Sequence, residues 1–257
     1  MRRDQQPALA PSHGSLGTAA PLWPHENSVL AGLTHSDMSL LAPSLNGVAQ
    51  GPSPKLDLGT LPSDCVYFPD AGVISILAIT PDGETIEIAS AGRTGAVCPI
   101  IRSEFGECLL VSTGATRASR VAVARLQPIL AESQTLRATL EACRETLLLQ
   151  LRQNLVCGGL HSVEQRLPRW ILEMAGRLES DIVAVTQEDV ARRLGVRRTT
   201  VTLIAQRLQE IGAIHWARGR VEVSDRTLLE SATCTCYSAL RESIGHPGHT
   251  TSSKLVS

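Results

Sequence analysis

The spacing of apolar positions changes period twice along the chain. Residues 1–26 have no apolar period and are rich in Pro, Ser, Gly and Ala, which predicts a tail without a packed face. From 27 to 45 a short helical spacing appears, carried by Val29, Leu30, Leu33, Met38, Leu40, Leu41 and Leu45. Strand signals follow at short intervals. Residues 65–68 end at Pro69, 72–80 are β-branched and apolar, and Pro81-Asp82-Gly83 makes a turn. In 84–90, Thr85, Glu87 and Ala89 alternate with Ile86 and Ile88. Residues 108–113 and 118–126 complete the set, split by Gly114. Short strands punctuated by Gly, Pro and Asp predict an all-β sandwich or jelly roll.

At Gln127 the period becomes helical. Leu136, Leu140, Cys143 and Leu147 follow a 4-3-4 spacing, and Leu151 and Leu155 continue the stripe to about Cys157. A helix of about 28 residues spans about 42 Å. That length favours a coiled-coil dimer seam, with Cys143 and Cys157 on it, over a helix packed on its own β domain. Gly158-Gly159 is expected to break the helix and act as a hinge. A second helical segment covers 161–178, with Val163, Leu167, Trp170, Ile171, Met174 and Leu178 on one side and Pro168 inside, where it should kink the helix or displace its start.

Residues 186–214 hold the most informative pattern. Thr186 and Asp189 fit a capping box for a helix over about 187–194. Gly195 supplies a tight turn, and a second helix starts near Arg197 and runs to about Gln209. Val190, Ala191, Leu194, Val196, Val201, Ile204 and Leu208 are its buried set, with Ala191 small where two helices cross. A small residue, a turn glycine and an apolar residue at this spacing predict a helix-turn-helix. The N-terminal face of the second helix would then meet base edges: Arg197, Arg198, Thr199, Thr202 and Leu203. Arg198 can pair a guanine bidentately, and Leu203 offers only apolar contact. Thr186, Gln187 and Thr200 suit phosphates. Residues 214–217 and 221–223 flank Arg218-Gly219-Arg220, a hairpin whose basic tip, Arg218 and Arg220, would touch the DNA backbone. Asp225 is expected to cap a last helix.

Composition sharpens this picture. Hydrophobic residues make up 43 % of the chain, charged residues 19 % and aromatics 3 %. So few aromatics argue against stacking platforms for single-stranded nucleic acid. The net charge of −1 hides a local excess: 186–226 holds eight arginines against five acidic residues. No segment reaches the ~20 apolar residues of a membrane span, and the N-terminus has no signal-peptide core, so a cytoplasmic protein with no membrane partner is expected. The seven cysteines are odd in number and scattered, which suits free thiols.

The chain resembles the Crp/Fnr-type bacterial transcription regulators through HSVEQRLPRW at 161–170, TQEDVARRLGVRRTTVT at 186–202 and CTCY at 234–237, and more loosely through VYFPDAGVIS at 66–75 and the GRTG run at 92–95. The resemblance implies an α+β fold. A tail over 1–26 precedes a cyclic-nucleotide-binding-like double-stranded β-helix (jelly-roll) sensor over 27–126. A dimerisation helix over 127–158, a winged helix-turn-helix over 159–240 and a second tail over 241–257 follow. It implies a non-enzymatic homodimer that binds palindromic double-stranded DNA under control of a small-molecule effector, with RNA polymerase a further partner. The cyclic-nucleotide phosphate cassette is altered: Glu107-Cys108 stands where the family carries an arginine, so neither cAMP nor cGMP is expected to bind. Arg93, Arg102 and Cys108 are the effector candidates.

No cofactor and no metal is expected from the residues. Cluster-type cysteine spacing is missing from the N-terminal tail, and Cys234-x-Cys236 is read as small residues packing a terminal helix. A thiol redox switch through Cys143 and Cys157 is one alternative. A constitutive DNA binder without effector control is another. A cupin-like binding protein or enzyme is disfavoured, because no histidine falls between 36 and 160.

Overall fold

The computed structural model describes residues 26–51, 61–98 and 108–239. Two short helices, α1 (Ser28–Ala31) and α2 (His35–Leu41), lead through a 3-10 turn into β1 (Asn46–Gln50). Three longer strands follow, β2 (Cys65–Ile79), β3 (Thr85–Ala91) and β4 (Cys108–Ala122). They form an antiparallel sheet of order β1-β4-β2-β3. The sequence expectation of separate strands on either side of Pro69 and of Gly114 is corrected here. Each pair is one long strand. Register shifts between Pro69 and Val73 absorb the proline, and Gly72 and Gly114 take positive φ at +76° and +79°. A Cβ on Gly72 would sit 2.4 Å from Thr116 Oγ1 on β4, so only glycine fits the bend. The bent sheet encloses Leu30, Leu41, Tyr67, Phe68, Ile74, Leu110 and Val121.

The helix expected from Gln127 is two helices, α3 (Val123–Glu132) and α4 (Gln134–Leu160). Ser133 separates them in an extended conformation, and its hydroxyl accepts from Leu136 N at 3.0 Å as the N-cap of α4. The same hydroxyl donates to Asp37 of α2. Thr135 and Thr34 donate to Asp37 at 2.7 and 2.8 Å. These bonds from Ser133, Thr135 and Thr34 hold the Asp37 carboxyl below the usual range. At the other end α4 runs through Gly158 and Gly159, so the helix breaks not there but at His161-Ser162, where the backbone turns extended.

The dimerisation stripe also needs correction. Leu136, Leu140 and Leu147 are buried in the sheet domain of their own chain, and Cys143 and Leu151 pack against the same core. A side chain sealed inside its own chain cannot line a seam with another. Of the six residues expected on the seam, only Leu155 stands in solvent, at 76 % exposure, with Leu148, Val156 and Leu160 also exposed on α4. The intersubunit Cys143–Cys157 disulfide fails on the same ground, since Cys157 is fully buried.

After α5 (Val163–Leu178), which carries Pro168 inside it, comes a compact C-terminal domain. It contains β5 (Ile182–Ala184), α6 (Gln187–Leu194), α7 (Arg198–Glu210), β6 (Ile214–Ala217), β7 (Arg220–Val223) and α8 (Arg226–Ser231). A three-stranded sheet of order β5-β7-β6 backs the two central helices. Its core joins Leu167, Ile171, Val190, Val201, Ile204, Val221 and Leu229, and takes in Val73 from β2.

Truncating Leu147 to alanine therefore acts on the monomer. Leu147→Ala should lower the unfolding free energy by about 2–5 kcal/mol in urea titration, with an unchanged sedimentation coefficient. A small stability loss combined with dissociation of an oligomer would return this residue to an intersubunit seam.

Candidate nucleic-acid interface

Local chemistry fixes the two crossing helices. Thr186 Oγ1 accepts from Asp189 N at 3.1 Å, and Asp189 reaches back to the Thr186 amide, so the capping box forms as expected. Gly195 sits at φ +63°, and its N–H returns to Arg192 O at 3.3 Å. Arg197 is the N-cap residue of α7 and gives it no side-chain cap, so the first amides of this helix stay open. Val201, Ile204, Ala205 and Leu208 are buried, which turns Arg198, Thr199 and Leu203 outward. Leu203 is an exposed large apolar side chain on this face. Thr202 donates to Gln187 Oε1 at 2.7 Å and to Arg198 O at 3.1 Å, tying the start of α7 to the start of α6.

The hairpin β6–β7 brings the wing to the same place. Its turn puts Arg218 at φ +50° and Gly219 at φ +76°, the pair of positive dihedrals of a tight hairpin turn that Asn-Gly usually fills. An arginine held there is locally strained, which fits a side chain kept for a contact. Trp216 N donates to Gln209 Oε1 at 2.9 Å, locking the wing to α7. A cleft of about 620 Å³ opens between these parts, lined by Thr186, Gln187, Arg192, Arg198, Arg218 and Gly219 among others.

Ion pairing sorts the arginines of this domain. Arg192 pairs with Glu188, Arg207 with Glu164 and Arg226 with Asp181. Arg193 is buried against Glu87. Among the described residues, the side chains of Arg197, Arg198, Arg218 and Arg220 make no hydrogen bond or ion pair, and all four are exposed. These are the four arginines that the sequence expects at the DNA.

In the sequence Arg193 is only one member of a basic segment. It lies at 2 % exposure and crosses into the β domain. Its Nη1 donates to Glu87 at 2.5 Å and to Ser75 Oγ at 2.9 Å, and Nη2 donates to Thr113 Oγ1 at 2.7 Å. Trp170 Nε1 donates to the same Glu87 at 3.4 Å, and the guanidinium lies 5.8 Å from the Trp170 ring centroid. Beside this pair, Gln150 of α4 exchanges bonds with the Ser90 backbone at 3.0 Å both ways, and Arg177 donates to Gln150 at 3.1 Å. Asn154 donates to Ile88 O at 3.1 Å and accepts from Arg169 at 2.7 Å. A polar seam thus runs from β3 through α4 and α5 to α6. The cavity in it is about 30 Å³, room for a water molecule and not for an effector.

Of the effector candidates, Arg93 is engaged in a bond to Glu179 at 2.5 Å, which joins the β domain to the C-cap of α5. Cys108 packs against the sheet core. Arg102 and Glu107 lie outside the described residues. Burial raises the Cys143 thiol, which makes it a poor nucleophile and leaves the redox alternative without a reactive thiol there. Sequence reading also missed a gathering of Cys157, His161, Cys234 and Cys236 at the end of α4. Its signal was Cys157-x-x-x-His161, a helical i, i+4 spacing, together with Cys234-x-Cys236.

Comparison with known proteins agrees with this geometry. A family described as the Crp-like helix-turn-helix domain matches residues 165–232. No curated protein matches the chain in sequence. Among solved structures, a protein assigned to the Crp/Fnr regulators from Eubacterium rectale is 16 % identical at a TM-score of 0.62, covering 79 % of this chain and 96 % of its own. FixK2 from Bradyrhizobium japonicum is 16 % identical at 0.60, covering 74 % and 98 %. The c-di-GMP responsive global regulator CLP of Xanthomonas campestris is 17 % identical at 0.59, covering 75 % and 100 %. The chain carries a Crp-like helix-turn-helix domain at its C-terminal end and has, across its described residues, the fold of the Crp/Fnr transcription regulators.

Proposed function

We propose that the protein is a sequence-specific DNA-binding regulator of transcription that acts as a homodimer under an effector. The observation that carries this reading is the set of unpaired arginines, Arg197 and Arg198 at the open N-terminus of α7 and Arg218 and Arg220 on the wing. A guanidinium held in solvent, while Arg192, Arg193, Arg207 and Arg226 are each paired with a carboxylate, is available for phosphates and guanine edges. Arg198, Thr199, Thr202 and Leu203 read bases in the major groove. Arg197 stands beside them at the start of the same face, while Thr186, Gln187, Thr200, Arg218 and Arg220 hold the backbone. The DNA-binding domain extends from 159 to 240 and the sensor from 27 to 126. The reaction class is binding, with no enzymatic step. A regulator of this kind works at the chromosome, in the cytoplasm, and meets RNA polymerase there. Among the described residues no helix is long and apolar enough to cross a membrane.

Dimerisation in this reading uses the outer strip of α4. Leu148 and Leu155 are seven residues apart, one heptad, and Val156 and Leu160 extend the apolar strip. Two copies paired there would present two α7 helices to half-sites about 34 Å apart.

Two measurements test this. With a duplex selected from a random library, Arg198→Ala should cost about 1–3 kcal/mol of affinity per half-site and relax the preference at one base pair in each. Arg218→Ala should weaken all sequences alike and flatten the dependence of log K on log salt by about two, one for each wing of the dimer. Unchanged binding by Arg198→Ala would remove α7 as the reading helix. In sedimentation analysis, Leu155→Asp should give a folded monomer, and a dimer that persists would place the interface elsewhere.

A further inference from the structure

We propose that Cys157, His161, Cys234 and Cys236 form a structural zinc site that staples the two ends of the C-terminal domain to α4. The four residues come from two distant segments. Cys157 occupies the last turn of α4, and His161 is its C-cap, with its N–H on Cys157 O at 3.1 Å. Cys234 and Cys236 lie beyond the end of α8, where Tyr237 N bonds back to Cys234 O at 3.1 Å.

The distances suit one tetrahedral ion. Cys157 Sγ and Cys234 Sγ are 3.8 Å apart, and Cys236 Sγ is 3.6 Å from His161 Nδ1. Zinc–sulfur bonds of about 2.3 Å and a zinc–nitrogen bond of about 2.05 Å give tetrahedral edges of about 3.8 Å between sulfurs and about 3.6 Å between sulfur and nitrogen. All four ligand atoms lie within 4.8 Å of one another, so small side-chain rotations close the remaining edges. That spread holds a single ion and leaves no room for an iron–sulfur cluster. A disulfide needs its sulfurs at about 2.05 Å, and packing of small residues does not explain why an imidazole nitrogen joins three thiols. Three cysteines and one histidine make a closed donor set, typical of structural rather than catalytic zinc.

The surroundings fit the charge of such a site. Three thiolates and a neutral imidazole around a divalent ion leave one negative charge. Arg169, itself buried, lies near enough to Cys157, Cys234 and Cys236 to interact with all three. Gln153 Nε2 donates to Cys157 Sγ at 3.4 Å. Outer-shell donors of this kind orient and stabilise thiolate ligands. Arg169 also donates to Asn154 and Glu173, at 2.7 and 2.9 Å, so the site touches the polar seam that joins the sensor to the reader.

The position gives the ion its role. Helices α5, α6, α7 and α8 all lie between His161 and Cys234. An ion bound there closes the C-terminal domain into a loop anchored on α4, at the junction where the two domains meet. Binding releases thiol protons and adds directly to the stability of the folded domain.

Full-length protein, prepared under reducing conditions in zinc-supplemented medium, should contain one zinc per chain by plasma mass spectrometry. Cys108→Ser should keep it, and Cys236→Ser should lose it. Because Cys236→Ser removes a packed side chain as well as a ligand, a second measurement uses only the wild-type chain. Chelator-stripped protein titrated with Co²⁺ should develop the intense visible bands and thiolate charge-transfer absorption of a tetrahedral sulfur site, saturating at one equivalent and erased by Zn²⁺. Substoichiometric zinc with only weak, octahedral cobalt absorption would overturn the proposal, as would an iron chromophore in the purified protein.

Discussion

A buried charge pair governs how this molecule is put together. Arg193 leaves the first helix of the helix-turn-helix, enters the β domain and meets Glu87 at 2.5 Å, with Ser75 and Thr113 taking its other donors. A guanidinium at 2 % exposure would be prohibitively unfavourable without that carboxylate and those hydroxyls. The partners come from β2, β3 and β4, so the orientation of α6 is tied to three strands at once. Apolar contact alone would let the two domains slide. A directional, desolvated ion pair fixes their register.

The polar seam extends that constraint along α4 and α5. Gln150 and Asn154 hold the backbone of β3 at Ser90 and Ile88, while Arg169, Glu173 and Arg177 link the same side chains to α5. The inner face of α4 serves the sheet core and its outer face carries Leu148 and Leu155. One helix therefore borders the β domain, the C-terminal domain and an exposed apolar strip. A shift of β3 must move Glu87, Ser90 and Ile88 together, and with them the anchors of α4, α5 and α6. The exposed face of α7, with Arg198, Thr199 and Leu203, makes no bond in that seam.

How much of this was legible in the sequence depends on how local each signal is. The helix-turn-helix was read nearly to the residue, because Thr186, Asp189, Gly195 and Asp225 are caps and turns whose chemistry acts within a few residues. The strands of the β domain were placed but cut in two, because Pro69 and Gly114 read as stops while long-range pairing with β4 and β2 carries the chain through them. Strand β1 was missed because its five residues carry little apolar periodicity. The apolar stripe of α4 was genuine, but a period says only that a face is covered, not by which chain. The Arg193–Glu87 pair was out of reach for the same reason, and the cysteine–histidine cluster left only two short spacings with nothing to join them. Their members are 106 and up to 77 residues apart in the bonds that define them, and an arginine in a basic run reads as solvent-facing by default.

The central claim is that the β domain and the C-terminal domain are coupled through the buried pair. Hydrogen exchange followed by mass spectrometry, comparing the wild-type chain with Glu87→Gln, tests it most directly. The account predicts that amides of β3 and of α6 lose protection together and by a similar factor, while β7, held by the C-terminal domain's own core, keeps its protection. Loss confined to β3, with α6 exchanging as in the wild type, would contradict it.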